Sequence, residues 1–380
     1  MNKKPTFSTH RYLIQSIDPV HIGTGGMRLG RVDNSIVREP GTKLPKIPGT
    51  SLSGAIRSYA AYRYGKRSCA GQKGHCGNST CPICYTFGSI SGDSEEGDGQ
   101  NNYAGVVSIG DARILLFPVY SMAGPVWVTS PTAMEDFGIM GQSVSADKAK
   151  MSSDLVKHRN LNLGWLMVKN ESNLTLKLPS NIPASVNDRI VMISDKLFSQ
   201  VVNSNLEVRT SVSIDPKTGA AENGALFTYE AIPRAAFFWL DVVVDDYRDA
   251  FPAFNELEKW KQILTTAKEN SEESFKFLQK NGFMRNYKAM PKDISKKYME
   301  DFLKDKNTFL QLIQDEKKYY QNTTLPSSNK WKNPDKTDGT EDTPDDVVTA
   351  GLEWIEHLGI GGMSTRGFGR IRMVDCHEVK

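Results

Sequence analysis

Residues 343–374, TPDDVVTAGLEWIEHLGIGGMSTRGFGRIRMV, hold a glycine series whose flanking elements decide between two folds. Thr343 reads as a helix cap, Pro344 as the first helical position, and Asp345 and Asp346 as acids that complement the positive helix start. Val347, Gly351, Trp354, Ile355 and Leu358 recur at helical spacing and predict the buried stripe, and Gly359 ends the helix. A dinucleotide-binding glycine fingerprint needs a strand before it and a helix after it, so the order helix, loop, strand excludes a Rossmann site. What remains is a backbone-rich loop with Arg366 and Arg370 beside its glycines, suited to hold a phosphate chain at close approach.

Upstream, residues 206–235 alternate on both sides of Asp215, Pro216, Lys217, Thr218 and Gly219, the clearest hairpin in the chain, and such an excursion projects from a core. AFFWLDVVV, residues 236–244, follows as a buried strand. At the other end, residues 11–20 predict a first strand closed by the glycine turn HIGTGG, and RVDNSIVRE, 31–39, a second extended stretch. Pro48 and Gly49 punctuate the chain before Thr50 or Ser51 caps a helix with Leu52, Ala55, Ile56, Tyr59 and Ala60 on one face. Its free N–H groups predict a phosphate site, with Arg57 and Arg63 adding charge. Residues 105–119 are strongly β-like, 124–138 read as a strand and a short helix with Glu135 and Asp136 in its first turn, and 163–194 continue the alternation. The 253–320 block is charged and helical, capped by Ser271, and 322–342 is loop-like.

A chain of 380 residues buries a large core, as one elaborated domain or two fused modules. Its 47 basic and 44 acidic residues give a net charge of only +3, so any nucleic-acid surface must come from local clustering. No run approaches the roughly 18 apolar residues of a membrane helix, and the N-terminal residues lack the apolar centre of a secretory signal. The expectation is a cytoplasmic protein with no membrane partner.

Four of the five cysteines fall within CAGQKGHCGNSTCPIC, residues 69–84. In a reducing compartment this spacing predicts structural zinc held by Cys69, Cys76, Cys81 and Cys84, with His75 as an alternative to Cys76. Four protein ligands leave no open coordination position for catalysis. Cys376 reads as a free thiol.

The ordered series DPVHIGTGG, LGRVDNSIVRE, IPGTSLSGAIR, SIGDARILLFPVYSMAGPVWVTSPTAMEDF, VMISDKLF, GALFTYEAIPR and GIGGMSTRGFGRIRM resembles the RAMP superfamily, and within it the repeated backbone subunit of type III-B (Cmr) or related type III CRISPR effector complexes. The likeness spans about residues 11–240 and 343–375. It implies an α+β fold: a modified ferredoxin-like (RRM-like) palm over residues 1–240, with the zinc module at 69–84 and a β-hairpin thumb at 206–235. A helical insertion and flexible loop would fill 241–342, and 343–380 would complete the palm.

The implied function is a guide-RNA-binding backbone subunit that cleaves complementary target RNA at regular intervals by metal-dependent attack of a 2′-hydroxyl. Its partners would be the guide, the target, further copies in a helical filament and other effector subunits. The family's catalytic aspartate matches Asp33 in GRVDNS, where one carboxylate would hold a hydrated Mg²⁺ or Mn²⁺ or orient the attacking hydroxyl. Ser51, Ser53, Arg57, Gly362, Ser364, Thr365, Arg366 and Gly367 match guide-contacting positions, although family members often carry lysine where Ser53 stands. A catalytically silent scaffold of the same kind is the alternative. A guide-processing nuclease is the third reading, and it would need a histidine acid/base, for which His21 is the local candidate.

Overall fold

In the stretch Tyr12-Leu13-Ile14 successive side chains point to opposite faces of a strand, yet all three are buried, so this strand is covered on both sides. It is β1 (Ser8–Ser16) of an eleven-stranded mixed sheet. The computed structural model describes residues 7–25, 32–71, 75, 81–89, 103–140, 142–247 and 342–379. The chain divides into two compact units, one of Met1–Tyr59, Val107–Asp245 and Thr349–Lys380, the other of Ala60–Val106 and Asp246–Val348. Of the expected helical block, 248–341 lie outside the described residues.

In the first unit, β1 leads to α1 (Gly49–Arg63) and then to β2 (Ala112–Ser121), which turns back into β3 (Gly124–Thr129). After the hairpin strands β4 (Glu207–Ile214) and β5 (Ala221–Ala231), the chain returns through β6 (Phe237–Val244), α2 (Pro344–Leu358) and β7 (Ile371–Val379). The strands lie in the order β7-β1-β6-β2, each antiparallel to its neighbours. With one helix after β1 and one before β7, this is a ferredoxin-like βαββαβ core. Beyond β3 the sheet continues through Ile190–Ile193, Lys148–Met151, Leu166–Asn173 and Asn160–Leu163.

One sheet face carries Leu13, Phe237 and Trp239, which pack with Met134, Phe137, Ile182, Val186, Ile190 and Met192 from the residues inserted between β3 and the hairpin. On the other, Tyr12 reaches α2 through a hydroxyl contact to Thr349 at 3.1 Å. Burying a side chain of this size contributes about 1.5–3 kcal/mol, so β6, with Phe237, Phe238 and Leu240 all at 0% exposure, is a main anchor.

The helices α1 and α2 meet where Gly351 passes Ile56. A Cβ on Gly351 would lie 2.2 Å from the Ile56 carbonyl oxygen and 2.7 Å from its Cγ2. Gly351→Ala is therefore expected to destabilise the protein by about 1–3 kcal/mol, seen as a lower denaturation midpoint. An unchanged midpoint would show that the helices separate at no cost.

The structure revises several local expectations. Val348 and Leu352 join the buried stripe of α2, whereas Leu358 is exposed. The helix at Pro131–Phe137 starts from a Ser130 cap, which leaves Glu135 and Asp136 near its end rather than in its first turn. RVDNSIVRE forms isolated bridges instead of a strand.

In the second unit, Cys69 ends a short turn, Arg67–Cys69, and Cys81 precedes the helix Pro82–Phe87, with Cys84 in its first turn. Val106 N–H returns to the Thr86 carbonyl at 3.0 Å, closing the segment on itself. Among the described residues, no helix is long and apolar enough to cross a membrane.

Candidate active site

The hairpin is a two-stranded sheet of its own, closed by an Asp215 turn in which the Asp215 carboxylate accepts from Lys217 N–H and Thr218 Oγ1. Its register opposes Val208 to Glu230, Thr210 to Thr228 and Val212 to Leu226, so these six share one face. Val208, Val212 and Leu226 are exposed on it, and Thr228 and Glu230 mark its root.

Asp33 is bound to that root. Its Oδ2 accepts from Thr228 N–H and from Thr228 Oγ1, both at 2.8 Å, and its own N–H donates to Thr228 Oγ1 at 3.0 Å. Asn34 N–H then reaches the Thr228 carbonyl, and Glu230 N–H the Asn34 carbonyl, so the loop runs as a short ladder along β5. The backbone and side-chain hydrogen bonds from Thr228 hold the Asp33 carboxyl below its usual range, which keeps it ionised at neutral pH. Oδ1 has no hydrogen-bond partner among the described residues.

Glu230 continues the ladder, its carboxylate accepting from Arg38 at 2.5 Å and from Ile36 N–H at 3.2 Å. Arg38 also donates to Asn203 and to the Ile36 carbonyl. His21 lies inside this frame, 6% exposed, with Nδ1 2.6 Å from the Glu230 carbonyl and its ring edge-on to Tyr229. A buried, engaged imidazole of this kind supports packing and gives the guide-processing reading no exposed acid/base.

The glycine loop closes on the same histidine. Gly362 N–H donates to the His21 carbonyl at 3.0 Å, and a Cβ on Gly361, whose φ is +82°, would meet that oxygen at 2.5 Å. Ser364–Arg366 form an exposed turn, followed by exposed Gly367. The hairpin root leans on the loop through Arg209, stacked over the Phe368 ring at 4.8 Å. Arg370, expected beside a phosphate, instead pairs with Asp18 at 2.5 Å, and that hydrogen bond is the main cause lowering the Asp18 carboxyl.

The start of α1 corrects another expectation. Asp111 Oδ1 accepts the Gly49 N–H at 2.7 Å while Oδ2 takes Lys46 Nζ at 2.5 Å, so an acid of the chain itself, rather than Thr50 or Ser51, occupies the anion position. Burial raises the Asp111 carboxyl, and the Lys46 and Gly49 hydrogen bonds more than offset it. Ser51, Ser53 and Arg57 lie outside the buried Leu52, Ile56, Ala60 stripe, partly exposed. Tyr59 Oη joins α1 to the glycine loop at the Gly359 carbonyl, 2.7 Å away. Asp33 and the glycine loop thus converge around His21 and β5.

Thr228, Glu230, Arg38 and Asp111 were not apparent as site residues in the sequence. A helix starting at glycine without a side-chain cap was the available signal for Asp111; Thr228 carried none, because its partner is 195 residues away.

In the second unit Cys69, Cys81 and Cys84 are buried and form no disulfide, and their sulfur atoms all lie within 4.8 Å of one another. His75 does not stand with them, and Cys76 lies outside the described residues. The Cys69 and Cys81 sulfurs are 3.8 Å apart, the edge expected of a tetrahedron with metal–sulfur bonds of about 2.3 Å, so this pair has the spacing of two zinc ligands.

A family model described as RAMP superfamily matches residues 13–283. The chain belongs to the RAMP superfamily. Within it, the protein is homologous to the CRISPR system Cmr endoribonuclease Cmr4 of Pyrococcus furiosus, 28% identical over 254 residues, which span 61% of this chain and 80% of that relative. It is also 38% identical over 77 residues to the CRISPR system Cms endoribonuclease Csm3 of Methanothermobacter thermautotrophicus, covering 20% of this chain and 30% of Csm3. A solved subunit of the type III-B Cmr-beta complex in its apo state aligns with a TM-score of 0.47 at 20% identity, over 62% of this RAMP chain and 84% of that one.

Proposed function

We propose that this RAMP protein is the guide-RNA-binding backbone subunit of a type III CRISPR effector complex and cleaves complementary target RNA at regular intervals, with Asp33 as its catalytic residue. The observation that carries this is the Asp33 carboxylate, fixed through Oδ2 at the root of the hairpin, with Oδ1 lacking a hydrogen-bond partner among the described residues. The relatives described above are named endoribonucleases, which supports RNA as the substrate class.

One carboxylate with an unengaged oxygen fits a single hydrated divalent ion, Mg²⁺ or Mn²⁺, which when bound would supply charge stabilisation at the scissile phosphate. Asp33 itself would hold that ion or orient the attacking 2′-hydroxyl. In-line geometry would come from the RNA, distorted where the hairpin's Val208, Val212 and Leu226 bear on the duplex. Cys69, Cys81 and Cys84, with Cys76 as the fourth ligand, would hold structural zinc. The complex would assemble in the cytoplasm from repeated copies on the guide, together with other effector subunits.

The guide would run over the glycine loop, contacting Gly362, Ser364, Thr365, Arg366 and Gly367, and past Ser51, Ser53 and Arg57 on α1. The exposed Arg366 has no side-chain partner among the described residues. Arg366→Ala is expected to weaken guide binding and to reduce the slope of log affinity against log salt by about one unit. An unchanged slope would remove Arg366 from the phosphate contacts. The catalytic reading is tested by cleavage of complementary RNA with Asp33 present and replaced. Intact RNA, tightly bound by the wild type, would leave a silent scaffold.

A further inference from the structure

We propose that Thr228 is the positioning residue for Asp33, tying the reacting carboxylate of the loop to hairpin strand β5. The inference rests on the catalytic reading of Asp33. An aspartate on a loop turns about two side-chain torsions, and productive attack needs its free oxygen in one place. Among the described residues Thr228 alone removes that freedom: its N–H and Oγ1 both bind Oδ2, at 2.8 Å each, and Oγ1 accepts the Asp33 N–H at 3.0 Å. The hydroxyl therefore works in both directions, donating to the carboxylate and accepting from the backbone of the same residue.

The three bonds engage Oδ2 and the Asp33 backbone N–H, which leaves Oδ1 without a hydrogen-bond partner among the described residues. The next pair, Asn34 N–H to the Thr228 carbonyl at 3.1 Å, carries the registration into the loop backbone. Thr228 is also two residues from Leu226, 62% exposed, and adjacent to Phe227, 37% exposed. A ligand pressing on that stretch of hairpin acts on the carboxylate through a single short run of strand, so hairpin engagement and carboxylate placement are mechanically one event.

Valine at 228 matches threonine in shape and keeps the backbone N–H bond, whereas serine keeps the hydroxyl and drops the methyl. The test uses the full-length protein assembled with guide RNA and its partner subunits, with labelled complementary RNA and Mg²⁺. Single-turnover cleavage and target affinity are measured for wild type, Thr228→Val, Thr228→Ser and Asp33→Ala. Loss of a hydrogen bond to a charged group predicts that Thr228→Val cleaves about tenfold more slowly or worse, at unchanged target affinity. Thr228→Ser should stay within about threefold of wild type.

Wild-type cleavage by Thr228→Val, with Asp33→Ala silent, would overturn the positioning role while sparing Asp33. So would serine cleaving as slowly as valine, or valine losing target binding in step with rate. Wild-type cleavage by Asp33→Ala would overturn the catalytic reading and the inference with it.

Discussion

Cys81→Ser combined with Cys84→Ser is expected to yield protein without zinc and with a sharply lower denaturation midpoint, or no soluble protein. Three reduced thiols gathered within 4.8 Å and fully buried gain little from one another as hydrophobic groups. A metal explains both their convergence and the 3.8 Å sulfur separation. Structural zinc contributes on the order of 10 kcal/mol of apparent folding energy in small modules, and here it would fix Arg67–Cys69 against the helix Pro82–Phe87. Metal analysis of the purified chain, paired with thermal denaturation, reads both effects. Folded, metal-free double variant melting like wild type would exclude the zinc.

Asp33→Asn is the second large effect. The amide keeps the shape and one accepting oxygen toward Thr228, but it carries no charge to hold a divalent ion or orient a hydroxyl. Loss of a general base or an electrostatic group of this kind costs about 10²-fold or more in rate. Target affinity should be unchanged, because the bulk of RNA affinity comes from phosphate contacts elsewhere. The sign of the titration follows from the hydrogen bonds: Thr228 lowers the carboxyl, so whatever this contact adds to folding is in place above about pH 4 and is lost as pH falls through the lowered value. Asp33 is ionised across the neutral range, so a change in cleavage rate between about pH 6 and 8 would report other groups. An Asp33→Asn protein that cleaves at the wild-type rate, or that no longer binds target, would contradict the assignment.

The elements most legible in the sequence were those specified by local chemistry. Thr343 caps α2 as its position before Pro344 indicates, exchanging hydrogen bonds with Asp346. Asp215 to Gly219 close the hairpin because that turn is written in residue types, and AFFWLDVVV is central because, Asp241 apart, it carries apolar residues on both faces. Pairings across long separations were opaque. The α2 stripe includes Val348 and Leu352 as well, and the close passage of Gly351 past Ile56 is a fact of packing that one helix's periodicity does not carry. The start of α1 resembles an anion site by sequence, yet Asp111, 62 residues further on, supplies the anion. The motif containing Asp33 was recognisable, whereas its partner Thr228 became visible only once the hairpin register was known.

The most direct test is to assemble the protein with guide RNA and partner subunits, add end-labelled complementary RNA with Mg²⁺, and compare wild type with Asp33→Ala on a denaturing gel. Regularly spaced cuts in the wild type, with intact and still bound RNA in the variant, are the predicted result. The same ladder of cuts from Asp33→Ala would contradict it and place the chemistry on another residue or another subunit.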